Sequence, residues 1–124
     1  MGLKLLQKIG RTKQHKKQLH IVYTNCMINI VEYEWDSKKS KLNLLKHGIS
    51  FAEAKEIFQG SVFTAEDRRK DYGEKRFISI GSISGIAVLV VVHTDRKGRT
   101  RIISARKANE KERGFYYEYL KAKS

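Results

Sequence analysis

The second half of the chain has the most regular succession of apolar stretches and polar turns. Seven consecutive apolar residues begin the segment 86–93, and a polar turn separates this segment from 101–105. Shorter segments at 61–65 and 75–80 precede them, and an alternating segment lies at 29–35. Short runs rich in β-branched residues are typical of strands, and short connections favour antiparallel pairing. The pattern therefore predicts an antiparallel sheet.

The segment 37–47 has the pattern of a helix that follows the first predicted strand. Asp36 provides a side chain suited to the N-cap, and Gly48 stands where a helix often ends in the left-handed conformation. Leu42 and Leu45 share one helical face, whereas lysines occupy the others. We expect the leucine face to pack against the sheet.

Two further helices are predicted by capping boxes. Ser50 and Asn109 each stand three residues before a glutamate, and this spacing lets the two side chains cap each other's backbone N–H groups. One helix is expected to begin after each capping residue. The fold class predicted from the whole pattern is α+β, with two N-terminal helices packed on an antiparallel sheet and a C-terminal helix.

Charge narrows the classes of partner. The chain has 26 Lys and Arg against 13 Asp and Glu, a net charge of +13, which favours RNA, DNA or an acidic protein as partner. Residues 1–31 contain six Lys or Arg and no acid. We predict that 1–28 is a basic leader, poorly ordered or dispensable, and that 29–122 is the folded domain. Met27 is an alternative start.

Composition also bears on compartment and cofactors. The single cysteine, Cys26, cannot form an internal disulfide, and the longest apolar run of seven residues is too short to span a bilayer. We therefore expect a cytoplasmic protein that contacts no membrane. We predict neither a metal site nor a cofactor.

Several short motifs follow one another between residues 31 and 120. They comprise Glu34-Trp35-Asp36, Lys38, Asn43, Lys46-His47-Gly48-Ile49-Ser50-Phe51, Ala54, Arg76, Ile80-Gly81, Val91-Val92-His93-Thr94, Arg101-Ile102-Ile103-Ser104-Ala105-Arg106, Glu112-Arg113 and Tyr116. In this order and at these spacings they closely resemble the BrnT-type toxins of bacterial type II toxin–antitoxin systems.

The resemblance implies a fold similar to that of the RelE-like ribonucleases and a toxin that cleaves RNA and arrests translation. It also implies an acidic BrnA-like antitoxin with a ribbon-helix-helix segment, joined to the toxin in a heterotetramer. Promoter DNA would then be bound only through the antitoxin. Two alternatives stay open: a non-catalytic basic module that binds nucleic acid, and an inactive scaffold for an antitoxin.

Metal-free RNA cleavage needs a base for the 2′-hydroxyl, cations for the phosphate and an acid for the leaving 5′-oxygen. His93 is a candidate acid or base because the ordinary pKa of histidine is about 6.5. Arg76, Arg106 and, less strongly, Arg101 offer planar donor forks that match a phosphate. Glu74 could orient an arginine or act as the base. We expect these groups to share one surface. The structural alternative for each arginine is a surface ion pair, and for His93 it is a capped histidine at the strand edge.

A second set of cations is predicted to contact RNA without taking part in the chemistry. It consists of Lys46, His47, Arg68, Arg69 and Arg99. The structural alternative for His47 is an interaction with the helix C-terminal dipole, and for Arg68 and Arg69 a solvated loop. The predicted activity is that of a metal-independent endoribonuclease that uses 2′-hydroxyl attack.

Overall fold

The structure, a computed structural model, describes residues 3–4, 18–24 and 27–124, and it describes side chains from residue 31 onward. The strands are β1 (Leu3–Lys4), β2 (Gln18–Thr24), β3 (Met27–Glu34), β4 (Val62–Glu66), β5 (Phe77–Ile83), β6 (Ala87–Arg96) and β7 (Arg99–Lys107). The helices are α1 (Ser37–His47), α2 (Phe51–Ala54), continued by a 3₁₀ turn at Lys55–Gln59, and α3 (Glu110–Lys123). None of these helices combines the length and hydrophobicity needed to cross a bilayer.

The strands form one mixed sheet in the order β1-β2-β3-β7-β6-β5-β4. This confirms the α+β class but corrects the prediction of a wholly antiparallel sheet, because β3 and β7 are parallel, with Tyr33 opposite Thr100 and Glu34 opposite Arg101. Short turns force antiparallel pairing only between strands that follow each other directly. The connection from β3 to β7 runs through the helices and three strands, so no hairpin constrains their direction.

Part of the predicted basic leader is a strand. β2 pairs with β3 in antiparallel register, from Gln18 opposite Tyr33 to Thr24 opposite Met27. The first strand predicted from the sequence, 29–35, is thus the second strand of a hairpin. The domain boundary at residue 28 and the dispensability of the leader stay predictions, and Cys26 lies outside the described residues.

The predicted caps form, although the second helix is short. Asp36 accepts hydrogen bonds from the backbone N–H of Lys38 and Lys39 at 2.9 and 3.4 Å, and Gly48 ends α1 with φ of 74°. The Ser50 and Glu53 capping box is complete, yet α2 has four residues before the backbone tightens into the 3₁₀ turn. The prediction of two full N-terminal helices is therefore met by α1 alone.

The sheet is covered on both sides, which explains the unbroken apolar run of β6. On one side, here called the α2 face, Leu89 and Val91 pack with residues of α2 and of neighbouring strands. On the other, the α3 face, Val88 and Val90 pack with Tyr116 of α3. Successive residues of β6 therefore enter opposite clusters, as alternation along a strand requires.

The helix α1 is attached to the sheet by an asparagine rather than by its leucines. Leu42 and Leu45 are exposed, and Asn43 is the buried residue of the helix. Its Nδ2 donates to the carbonyl oxygens of Ile49 and Ala105 at 2.8 Å, and its Oδ1 accepts from the Ala105 N–H at 3.3 Å. The prediction that the leucine face packs inward is wrong. β3 ends before it reaches Ala105, and the Asn43 amide satisfies the backbone there.

Candidate functional site

Two of the predicted arginines are assigned to the α3 face of the sheet. Arg106 of β7 lies opposite Val90, which belongs to the α3 cluster. Arg76 directly precedes β5 and has the parity of Ile78 and Ile80, which pack on the same side. Near these arginines the face is only partly covered, because Val92 and Ser104, a cross-strand pair, are half-buried. An accessible end of the sheet therefore carries guanidinium groups.

Arg106 is held by Glu112 in the first turn of α3. Its Nη1 donates to Oε1 and its Nη2 to Oε2, both at 2.8 Å. The hydrogen bonds from Arg106 are the main reason that the pKa of Glu112 falls to about 2. They also raise the pKa of Arg106, whereas the nearby positive charge of Arg69 lowers it. Arg69 and Arg106 are thus close enough to interact electrostatically.

Asp67 organises the loop that carries Arg69. This buried carboxylate accepts hydrogen bonds from Nε and Nη2 of Arg69 at 2.8 Å, from the Arg69 backbone N–H at 3.1 Å and from the Tyr72 hydroxyl at 3.0 Å. The side-chain hydrogen bonds from Arg69 lower the pKa of Asp67 far below its ordinary value. The loop conformation is therefore fixed by an ionised carboxylate.

Tyr72 links this loop to Arg76. The Arg76 guanidinium lies 4.3 Å from the centroid of the Tyr72 ring, a cation–π geometry. The Arg76 Nε lies 3.5 Å from a Glu74 carboxylate oxygen, and Arg96 Nη2 lies 3.3 Å from the other. We call Arg69, Arg76 and Arg106 the arginine cluster, because the Asp67–Tyr72 pair connects the first two and electrostatic interaction connects Arg69 to Arg106.

The arginines at the start of β7 are paired with carboxylates of β3. Arg99 Nε lies 3.0 Å from Glu32, and Arg99 Nη1 lies 3.5 Å from Glu34. Arg101 Nη1 lies 3.2 Å from the second oxygen of Glu34. Two acids therefore balance two arginines at the start of β7.

His93 lies on the α2 face, on the opposite side of the sheet from Arg106. Its Nε2 is 2.7 Å from the hydroxyl of Ser79, and its ring packs against Phe58 and Phe77 at centroid distances of 5.1 and 5.8 Å. Only 7% of the residue is exposed. The expectation that His93 shares a surface with the arginines is wrong, because an unbroken apolar run does not reveal which face each residue occupies.

The environment of His93 favours its neutral form. Burial lowers its pKa to about 4, and Asp95 opposes this only in part. Nδ1 has no hydrogen-bond partner among the described residues. Ser79 also lies 2.7 Å from the Thr64 hydroxyl, so the Nε2 side of the ring ends a short chain of hydroxyl groups.

The predicted RNA-contacting residues are distributed over several parts of the molecule. Lys46 and His47 are exposed on α1, which is attached to the backbone of β7 at Ala105. Arg68 is exposed and pairs with Glu66 at 3.2 Å. Arg69, by contrast, belongs to the arginine cluster, so the structure brings one member of this set to the candidate site.

Three residues of the site are missing from the sequence-based set. Asp67, Tyr72 and Glu112 position the arginines, and only Glu112 has a sequence signal, its place in a capping box. Residues of the 66–75 segment also line an open recess of about 550 Å³ that contains charges of both signs. In the described part of the chain, no three His, Cys, Asp or Glu side chains assemble into a metal site.

Comparison with known proteins assigns the family. The model of the family described as "Ribonuclease toxin, BrnT, of type II toxin-antitoxin system" matches residues 35–112, more than half of the chain. The chain belongs to this family. The matched range includes the whole arginine cluster together with Asp67 and Glu112, and family membership implies an antitoxin as partner and RNA as target.

The chain is similar to a solved structure. The crystal structure of the Brucella abortus ribonuclease toxin BrnT, at 1.1 Å resolution, is 26% identical in sequence. The similarity covers 61% of this chain and 94% of the Brucella chain, with a TM-score of 0.47. No curated protein matches the chain.

Proposed function

We propose that this chain is a metal-independent endoribonuclease that arrests translation in the cytoplasm, and that its fold is of the RelE-like type. The observation that carries the proposal is the arginine cluster at the accessible end of the α3 face. Arginine stays charged at every physiological pH and presents donors in the geometry of phosphate oxygens. A cluster of three such groups suits a reaction in which negative charge develops on a phosphate.

The proposed reaction is an attack of the ribose 2′-hydroxyl on the adjacent phosphorus. A base removes the 2′-hydroxyl proton, the O2′–P bond forms, the P–O5′ bond breaks, and a proton is delivered to the leaving 5′-oxygen. The products are a 2′,3′-cyclic phosphate and a 5′-hydroxyl. Arg76 and Arg106 would stabilise the pentacoordinate phosphate, and Arg69 would hold an adjacent phosphate.

Glu74 is the proposed base. Its carboxylate contacts Arg76 at 3.5 Å, so a phosphate held by Arg76 would lie near it. His93 is left out of the mechanism because it is buried on the other side of the sheet.

The remaining predicted arginines are given roles outside the chemistry. Arg101 would position β7 against β3 through its ion pair with Glu34. Arg68, with most of its side chain exposed, would attract RNA without contacting the scissile linkage.

RNA cleavage in excess EDTA tests the proposal. The purified chain is incubated with RNA, with and without ribosomes, and the product ends are mapped. We expect cyclic phosphate and 5′-hydroxyl ends with the parent chain and with Lys121→Ala, a control that removes an exposed charge at the far end of α3. Intact RNA in every condition would contradict it, and cleavage abolished by EDTA would contradict metal independence.

A non-catalytic nucleic-acid module is the second candidate. It is favoured by the fact that each arginine of the cluster is already paired with a carboxylate: Arg69 with Asp67, Arg76 with Glu74 and Arg106 with Glu112. This function predicts salt-sensitive retention of RNA that stays uncut. An inactive scaffold would bind an antitoxin but neither retain nor cut RNA.

The proposed partner is an acidic BrnA-like antitoxin with a ribbon-helix-helix segment, joined to the toxin in a heterotetramer. Support comes from family membership and from the charge of +13 on this chain. Induced expression should arrest growth, and co-expression of the adjoining reading frame should restore it. Growth arrest that the adjoining frame does not relieve would contradict the assignment of that partner.

A further inference from the structure

The outer side of α1 presents two leucines among lysines. Leu42 and Leu45 are 63% and 83% exposed, and their spacing of three residues places them side by side on the helix. Lys38, Lys41 and Lys46 lie on the same side by helical periodicity, and all three are exposed. We call these five residues the leucine–lysine surface.

These leucines are not needed to attach α1 to the sheet. Asn43 makes that attachment through three hydrogen bonds to the backbone of Ile49 and Ala105. A single exposed leucine on a helix is common, but a neighbouring pair on the side opposite the buried residue is an apolar patch that belongs to neither hydrophobic cluster of the described side chains. Such a patch suits a partner that would bury it.

The charge of α1 indicates the chemistry of that partner. The helix contains four lysines and no acid among its 11 residues. All four lysines are exposed, and none forms an ion pair with another described residue. Cations that surround an apolar pair match an amphipathic segment with acidic edges, because burying the leucines brings carboxylates beside the ammonium groups.

We propose that the leucine–lysine surface docks an acidic amphipathic helix of the antitoxin. This inference rests on the proposed function, which supplies a protein antitoxin as the partner. A second copy of this chain fits less well, because it would bring lysines against lysines. RNA would gain nothing from Leu42 and Leu45, and two leucines on a three-turn helix give little anchorage in a bilayer.

The surface is separate from the arginine cluster. α1 is attached at Ala105, whose side chain enters the α2-face cluster, whereas Arg106 enters the opposite face. Substitutions on the outer side of α1 should therefore change antitoxin affinity without changing RNA cleavage by the free toxin. This separation distinguishes failure of the inference from failure of the proposed nuclease activity.

Calorimetric titration of the full chain with the protein encoded by the adjoining reading frame tests the docking surface. The double variant Leu42→Ser/Leu45→Ser should weaken binding by about 30-fold or more. In the proposed complex these two leucines are the buried apolar residues that contribute most of the binding free energy. Lys38→Glu/Lys41→Glu should weaken it by about 10-fold, more at low salt. The matched controls are Ile86→Ser, an apolar residue 85% exposed elsewhere, and Lys121→Glu.

Several results would overturn the inference. These are no binding by the parent chain, retention of parent affinity by the leucine variant, and an equal loss in the Ile86→Ser control. Leucine-dependent dimerisation in light scattering, or leucine-dependent co-sedimentation with phosphatidylglycerol vesicles, would also overturn it if antitoxin affinity is unchanged. Leucine-dependent antitoxin binding by a chain that cuts no RNA would support the surface and reject the nuclease.

Discussion

Arg106 and Glu112 form two parallel hydrogen bonds of 2.8 Å that join the end of β7 to the first turn of α3. Glu112 also accepts the backbone N–H of Asn109 at 2.9 Å, so the same carboxylate caps the helix and orients the arginine. The position of Arg106 on the accessible face is therefore coupled to the start of α3. Removing the carboxylate should affect both stability and the candidate site.

Glu112→Gln should lower the free energy of unfolding by about 2 kcal/mol, because a charge-assisted bidentate pair is replaced by one weaker hydrogen bond. Urea denaturation at pH 7 measures the change. Glu110→Gln is the matched control, since Glu110 is exposed in the same turn and makes no side-chain ion pair with another described residue. Equal losses in both variants would show that helix-terminus charge, not the pair with Arg106, causes the effect.

Asn43→Ala should lower the free energy of unfolding by about 3 kcal/mol. The substitution leaves three buried backbone groups, the Ile49 carbonyl and both polar groups of Ala105, without their partner. Leu45→Ala on the same helix should change it by less than about 0.5 kcal/mol, because Leu45 is exposed. A larger loss for Leu45→Ala than for Asn43→Ala would contradict this account of how α1 is attached.

His93 should make stability depend on pH. Its folded pKa of about 4 lies below the ordinary 6.5, so the unfolded chain binds the proton more readily. Stability should therefore be fully present above pH 6.5 and fall as the pH decreases towards 4, by about 3 kcal/mol in total. The lowered pKa of Glu112 adds its own loss only below the ordinary glutamate value of 4.5.

Urea denaturation of the parent chain and of His93→Gln between pH 4.5 and 7 isolates the contribution of this histidine. The parent should lose stability over this interval, and the variant should lose much less. Equal slopes for the two proteins would contradict the assignment of the neutral histidine to the buried site beside Ser79.

Deleting residues 1–26 should shift the melting temperature by less than about 5 °C. Residues 1–26 contain six Lys or Arg and no acid, a composition that favours a surface segment. The deletion removes β2, however, and exposes the edge of β3 along its seven paired residues. Calorimetry of the shortened chain measures the effect, and a much larger decrease would contradict the prediction that the leader is dispensable.

Local capping chemistry predicted where the helices begin, although not that α2 would be short. As predicted, α1 begins after Asp36 and ends before Gly48, and α3 begins after Asn109. These ends were predictable because a capping side chain lies within a few residues of the backbone groups that it satisfies. The sequence could not predict which side of α1 is buried. Leucine periodicity indicated the wrong side, since the buried contact is a polar one made to a strand 62 residues away.

The candidate site was predicted in part for a related reason. Arg76 and Arg106 were chosen by the chemistry of their side chains. The strand register places Arg106 on the α3 face, and Arg76, one residue before β5, has the parity of the β5 residues that pack there. His93 was assigned to the same surface because the residues before it, 86–92, are all apolar, so the alternation of the strand is not visible in the sequence. Asp67 and Tyr72 were missed because their role arises from hydrogen bonds within an irregular loop.

The most direct test of the central claim compares single-turnover RNA cleavage in EDTA by Arg106→Ala, Arg76→Ala and His93→Gln, each shown to be folded by circular dichroism at pH 7. We predict that both arginine variants lose about 100-fold or more in rate, because they remove charge stabilisation at the phosphate. His93→Gln should stay within about threefold of the parent. Loss of cleavage in the folded histidine variant, with the arginine variants unaffected, would contradict placement of the chemistry on the α3 face.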